Sequence, residues 1–244
     1  MSAHDIALFG DQDAAARLAA KFSGTDAPEL MRLAIKDLFS GRIALVSSFG
    51  ADSVVLLHMA SEIDKALPIV FIDTLHLFPE TLANRDALVA RLGLTNVKTT
   101  EPDKKALAEA DPENFLWATD PDRCCELRKV APLAKALEGY DAWITGRKRF
   151  QAATRTALPL FETEAERVKI NPLAGWTQER IEAYFKEHDL PPHPLVAKGF
   201  LSIGCIPCTS PVQPGEDARA GRWRGRAKTE CGIHVQPLDA GSDI

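Results

Sequence analysis

Two four-residue runs, Ile43-Ala44-Leu45-Val46 and Ile69-Val70-Phe71-Ile72, are apolar at every position and flank a stretch of helical texture. A short, unbroken apolar run is what a strand covered on both faces requires, and a one-sided antiparallel strand would alternate instead. Between the runs, Val54, Val55, Leu57, His58 and Ile63 fit a helix packed on a sheet. Further strand candidates lie at Val97–Thr99, Ala142–Thr145 and Arg167–Ile170. Helical patterns fall before the first strand (Leu30, Leu33, Ala34, Leu38, Phe39), from Pro79 to Leu92, from Cys124 to Leu137 and from Thr177 to His188. Pro79 at a helix start and Gly93 just past its end follow the usual asymmetry of helix termini. Strands alternating with helices predict βαβ units: an α/β fold with a mostly parallel twisted sheet and helices on both faces. Such sheets bind ligands beyond the C-terminal ends of their strands. Ser47–Ser53, Asp73-Thr74 and Thr145-Gly146 fall on that edge.

Residues 1–210 read as the α/β domain, and 211–244, rich in Gly, Pro and Arg, as a mobile C-terminal segment. The 244 residues carry 45% apolar and 26% charged side chains, near globular averages, which sets aside disordered and fibrous classes. A net charge of −5 argues against broad nucleic-acid binding, because displacing counterions from a phosphate backbone takes a basic footprint. No apolar run approaches the ~20 residues of a membrane span. The opening Met-Ser-Ala-His-Asp has none of the character of a secretory signal, so a cytoplasmic protein is expected.

The Ser47-Ser48-Phe49-Gly50-Ala51-Asp52-Ser53 turn places hydroxyls and a glycine at a helix start, where free N–H groups and the helix dipole favour an anion. It matches neither the Walker A loop nor the dinucleotide fingerprint. Cys124-Cys125 and Cys205-x-x-Cys208 supply four thiols from two places. Such a set suits zinc or an iron–sulfur cluster, and adjacent cysteines fit the several irons of a cluster better than one tetrahedral ion. The fifth cysteine, Cys231, stands alone in Glu230-Cys231-Gly232-Ile233-His234, where His234 reads equally as a group that tunes the thiol or as a plain surface histidine. Upstream of it, Arg219, Arg222, Arg224, Arg226 and Lys228 form an acid-free basic run, and Arg147-Lys148-Arg149 with Arg155 forms a second. Both suit closure over a multiply negative ligand.

Taken in order, SSFGADS (47–53), IDTLHLFPET (72–81), CCELRKV (124–130), ITGRKRFQ (144–151), GCIPCT (204–209), RAGRW (219–223) and KTECGIH (228–234) resemble the assimilatory sulfonucleotide reductases, and specifically the iron–sulfur adenylyl-sulfate (APS) reductases. That resemblance implies an adenine nucleotide alpha hydrolase-like sheet and reduction of adenosine 5'-phosphosulfate (APS) to sulfite and AMP, in sulfate assimilation and cysteine biosynthesis. It implies a 4Fe-4S cluster on Cys124, Cys125, Cys205 and Cys208. Cys231 would attack the sulfate sulfur and carry a thiosulfonate, and thioredoxin or glutaredoxin would release the sulfite. Lys129 would sit between cluster and substrate, with Arg147, Arg155, Arg219, Arg222 and His234 around the anionic end. Ser47, Phe49, Gly50, Ala51, Asp52 and Ser53 would form the nucleotide loop, Ile72 and Thr74 would lie beside the adenine, and Gly146 by the ribose. Family members are usually homo-oligomers. Phe49 stands where related ATP pyrophosphatases carry the first glycine of S-G-G-x-D-S, which is expected to obstruct close backbone approach to a β/γ-phosphate. The competing expectations are a reductase for the 3'-phosphorylated nucleotide PAPS or for both nucleotides, a tRNA-thiolating enzyme and a non-catalytic metal-thiolate redox module.

Overall fold

The computed structural model describes residues 12–152, 155–164 and 166–234. The chain starts with α1 (Gln12–Lys21) and α2 (Ala27–Arg32), which continues through a π-helical turn at Leu33–Leu38. It then runs β1 (Ile43–Val46), α3 (Ser53–Ile63), β2 (Ile69–Ile72), α4 (Pro79–Leu92) and β3 (Val97–Thr100). Three short helices follow, α5 (Lys104–Ala110), α6 (Leu116–Thr119) and α7 (Pro121–Cys125), and a π-helical stretch, Glu126–Val130, joins α7 to α8 (Ala131–Ala136). The remaining strands and α-helix are β4 (Ala142–Ile144), β5 (Phe161–Glu164), β6 (Arg167–Ile170) and α9 (Gln178–Glu187), with short 3-10 turns at Arg149–Gln151, Val196–Lys198 and Ile206–Cys208.

The six strands line up as β3-β2-β1-β4-β6-β5, all parallel except β5, which runs against β6 with Phe161 opposite Ile170. Leu45 pairs with both Ile69 of β2 and Ile144 of β4, so β1 is flanked on both sides. The chain builds outward from β1 to β3 and then returns to the other side of β1 at β4. That reversal makes β1/β4 the switch point, where the connections leave in opposite directions and open a crevice at the strand ends. All five strand expectations, β1 to β4 and β6, stand to within a residue. The edge strand β5 is not apparent in the sequence, because Phe-Glu-Thr-Glu carries one large apolar residue; its two acids suit an edge that must not pair further.

The larger core packs Leu30, Met31, Val55, Leu57 and Ile181 against one face of the sheet, around Ile43, Leu45 and Ile69. A smaller cluster covers the opposite face with Ala44, Val70, Leu133, Leu137 and Trp143. Helices therefore cover both faces, as the apolar runs demand. Among the described residues no helix is long and apolar enough to cross a membrane.

Candidate active site

At the end of β1 the chain turns sharply into α3. Phe49 takes φ +50°, a left-handed conformation usually left to glycine, and its ring is fully buried against Phe71 with centroids 5.4 Å apart. The Phe49 carbonyl accepts a hydrogen bond from the Asn84 amide at 3.0 Å. Phe49 therefore faces the core and does not line the cleft where the other loop residues gather, so its ring obstructs nothing there. The backbone conformation that glycine supplies elsewhere is held here by core packing. Ser53 Oγ accepts from the Gly50 N–H at 3.0 Å, and Ser47 Oγ from the Phe49 N–H at 3.2 Å, which fixes the loop's curvature.

A cleft of about 240 Å³ opens over this loop. Ser47, Gly50, Ala51, Asp52, Ser53, Ile72, Thr74, Lys129, Gly146, Arg147, Arg155, Arg219, Arg222, Cys231 and His234 all line it, so apart from Phe49 the site residues expected around substrate converge on one space. Several are committed to other partners. Asp52 pairs with buried Lys148 at 3.0 Å, a pairing that sequence reasoning does not find. Burial lowers the Lys148 pKa, with Asp52 opposing. Arg147 is held by Glu162 and donates to Asn171 Oδ1 at 3.2 Å.

Cys124, Cys125, Cys205 and Cys208 line a second cavity next to the cleft, and Lys129 lines both. The two adjacent cysteines close α7, immediately before the π-helical stretch that carries Arg128 and Lys129. Pro132, one turn further on, has no N–H to give, and the helix before it is widened so that the Ala131 N–H reaches Glu126 O. Cys205 is tied to the end of β2: it bridges Leu77, its sulfur lies 3.2 Å from Thr74 Oγ1, and the Ile206 N–H donates to His76 O at 2.8 Å. Arg128, almost fully buried, clamps the two halves by donating to Thr74 O (3.0 Å), Asp111 (2.7 Å) and Asn114 (2.7 Å). Among the described residues no three His, Cys, Asp or Glu side chains converge closely enough to hold a single metal ion.

Burial pushes the Cys124 thiol up to about 11 and Cys125 up to about 12, and raises Cys208. Cys205 goes the other way: burial opposes it, yet the Lys129 ammonium and the Thr74 hydroxyl lower its pKa. Burial works against the Lys129 ammonium, and the neighbouring Cys205 and Cys231 sulfurs more than reverse it, so its pKa is raised.

The described part of the C-terminal segment is docked. A backbone bridge joins Thr209 to Arg222, and the Trp223 N–H donates to Cys208 O at 3.1 Å, so the basic run grows directly out of the cysteine loop. Its cations separate into distinct tasks. Arg224 pairs with Glu216, Arg226 donates to Trp117 O at 2.7 Å, and Lys228 holds Asp122. Arg219 pairs with Glu230 at 3.2 Å. Arg222 has no carboxylate partner among the described residues; its guanidinium lies over the Trp223 ring at 4.4 Å and against Gly204, where an added Cβ would come within 2.3 Å of it. Cys231 follows Glu230 into the cleft. His234 stacks on Trp143 with rings 7° from parallel and centroids 5.8 Å apart, and its Nδ1 is buried with no hydrogen-bond partner. Burial, and then Arg147, Lys169, Arg155 and Arg219, drive its pKa well below the ordinary histidine value, so the ring is neutral. Residues 235–244 lie outside the described residues.

Residues 42–211 match the phosphoadenosine phosphosulfate reductase domain family. The chain belongs to that family. It is 54% identical over 234 residues to the adenosine 5'-phosphosulfate reductase of Mesorhizobium japonicum, covering 93% of this chain and 92% of that protein. The adenosine 5'-phosphosulfate reductase of a Chelativorans species is 52% identical, with 93% of each chain covered. Among solved structures, the phosphoadenylyl-sulfate reductase of Candida auris superposes with a TM-score of 0.69 at 30% identity, over 83% of this chain and 98% of that one. Yeast FAD synthetase shares the fold at a TM-score of 0.52 and 18% identity, covering 84% of this chain and 76% of that one.

Proposed function

We propose that this protein reduces adenosine 5'-phosphosulfate to sulfite and AMP in sulfate assimilation, with Cys231 as the nucleophile. The observation that carries the reading is that Cys231 faces the same cleft as the Ser47–Ser53 anion loop, and Lys129 and Arg222 line that cleft too. The names of relatives matching at 54% and 52% identity support the substrate, although a relative in Gloeobacter violaceus at 41% carries the name of the PAPS enzyme.

In this reading the adenosine lies over Ile72 and Gly146 at the strand ends, and the phosphate is cradled by the loop's N–H groups and serine hydroxyls. The sulfate end meets Lys129 and Arg222. A thiolate approaching a like charge at 4 Å meets roughly 4 kcal/mol of repulsion at an effective dielectric near 20, and these two cations counter it. The Cys231 thiolate attacks the sulfate sulfur, forming an S–S bond. The bond from that sulfur to the phosphate oxygen breaks, and AMP leaves with the electron pair. A dithiol reductant of the thioredoxin or glutaredoxin class then attacks Cys231 Sγ and expels sulfite; its second thiol frees the enzyme and the reductant departs as a disulfide.

Four thiols around one cavity, with Arg128 and Lys129 against it, support a 4Fe-4S cluster, which Cys124, Cys125, Cys205 and Cys208 would hold. Bound there, such a cluster would supply fixed charge beside Lys129. We place the catalytic unit in the cytoplasm as a homo-oligomer, with the domain over 1–210 and the cysteine-bearing arm over 211–244.

The test is anaerobic incubation of the purified protein with APS and thioredoxin, scoring sulfite and AMP together. Equal amounts of both are expected from the wild type and none from Cys231→Ser. A kcat/KM for PAPS above that for APS would reverse the choice of substrate, and turnover by Cys231→Ser would remove the mechanism.

A further inference from the structure

Between residues 218 and 234 the only acid is Glu230, next to the cysteine the chemistry needs. Its carboxylate is gripped by Arg155 in a bidentate pair: Arg155 Nε donates to Oε1 and Nη2 to Oε2, each at 2.9 Å. The third nitrogen, Nη1, donates to Gln151 Oε1 at 2.8 Å, so every nitrogen of this buried guanidinium has a protein partner. Arg219 adds a bond to Glu230 Oε2 at 3.2 Å and another to Thr229 O at 2.7 Å. Two cations from different parts of the chain therefore converge on one carboxylate. Beyond Cys231, Gly232 turns back at φ +89°, with only 3.3 Å between an added Cβ and Val130, and His234 seats on Trp143.

We propose that Glu230 is the positioning residue that docks the Cys231 arm, acting through Arg155 with Arg219 as the second hold, and that Arg155 serves the arm in this state instead of the substrate. Paired, charge-assisted bonds fix orientation as well as distance, which a single contact does not. With His234 anchored three residues later, Cys231 is suspended between an ionic and an aromatic hold. The inference rests on Cys231 being the nucleophile, and its test is built to be read without turnover.

Hydrogen exchange followed by mass spectrometry on the peptide spanning 228–234 is the measurement, on the full chain without substrate. Glu230→Gln keeps the shape and removes the charge. Exchange in that peptide is expected to rise about tenfold, the factor that about 1.4 kcal/mol corresponds to. Arg155→Gln should raise it too, by no more than Glu230→Gln because Arg219 still holds the carboxylate, and the double variant should exchange no faster than Glu230→Gln alone, because both changes break the same pair. In turnover, Glu230→Gln should lower kcat about tenfold with KM within about twofold of wild type. Unchanged exchange at 228–234 overturns the proposal, as does additive loss in the double variant. A rise spread equally into the core strands over 43–72 also overturns it, since the pair would then hold the domain and not the arm. If the wild type makes no sulfite, the proposed function fails while the exchange data still judge the latch.

Discussion

Replacing Arg128 with Met removes the guanidinium that joins the cysteine-bearing helix to the end of β2 while keeping most of the apolar stem. Arg128 and Asp111 are only 4% and 3% exposed at their side chains and 2.7 Å apart. Asp111 also accepts the Phe115 and Leu116 N–H groups at 2.8 Å each. Removing one member of a buried pair leaves the other charge uncompensated, which costs about 3–5 kcal/mol. At about 2–4 °C per kcal/mol for a chain of this size, the expected fall in Tm is about 6–20 °C. The loss has a pH signature. Burial raises the Asp111 pKa, but the Arg128 guanidinium and the two amide donors outweigh it and hold the carboxyl below its ordinary 3.8. A depressed acid contributes stability that is present above 3.8 and lost as pH falls through the lower folded value. The gap between wild type and Arg128→Met, measured by urea unfolding, should therefore be widest near neutrality and narrow below pH 3.8. Adding Asp111→Asn to the Arg128→Met variant should recover part of the loss, since no charge is then stranded. A gap under about 1 kcal/mol at neutral pH, the size of a surface pair, would refute the reasoning.

Gly221→Ala puts a Cβ within 2.0 Å of the Ser210 carbonyl oxygen, which is backbone and cannot swing aside. Overpacking of this kind costs about 1–3 kcal/mol; Tm should fall, and KM for the anionic substrate should rise because the Thr209–Arg222 bridge carries Arg222. Docking of the arm should weaken with acid: His234 is neutral when docked, with its pKa depressed, and protonates near its ordinary value of 6.5 when released. Protection of the 228–234 peptide, corrected for intrinsic exchange, should be full above pH 6.5 and decline below it, and a flat profile would contradict the buried neutral ring. Cys205→Ser, purified anaerobically, should lose iron and sulfide together with thermal stability, because ligand binding and folding are linked; full iron retention would count against Cys205 as a ligand.

Apart from the edge strand β5, the strands are legible because the central parallel ones cannot hide their apolar runs, and the site is legible because five cysteines and two basic runs are rare enough to be read from spacing. The rest depended on facts that a linear sequence does not display. Phe49 reads as a loop residue facing the ligand, yet its left-handed backbone turns the ring inward onto Phe71. The basic run reads as one charged patch, and only the fold separates Arg224 on Glu216 from Arg222 at the cleft. Glu230 sits in plain view beside Cys231, but its partner Arg155 is 75 residues upstream. The structural tasks of Lys148 and Arg128 stay hidden for a related reason: a cation in a charged stretch looks solvated until its carboxylate partner, Asp52 or Asp111, is located.

One cysteine sulfur out of five, that of Cys231, is expected to carry the sulfite. Wild-type protein mixed anaerobically with APS and no reductant, digested and mapped by mass spectrometry, should bear a sulfonate on the peptide containing Cys231 and lose it, with release of sulfite, when thioredoxin is added. Sulfonate found on Cys124, Cys125, Cys205 or Cys208, or AMP released with no cysteine modified, would contradict it.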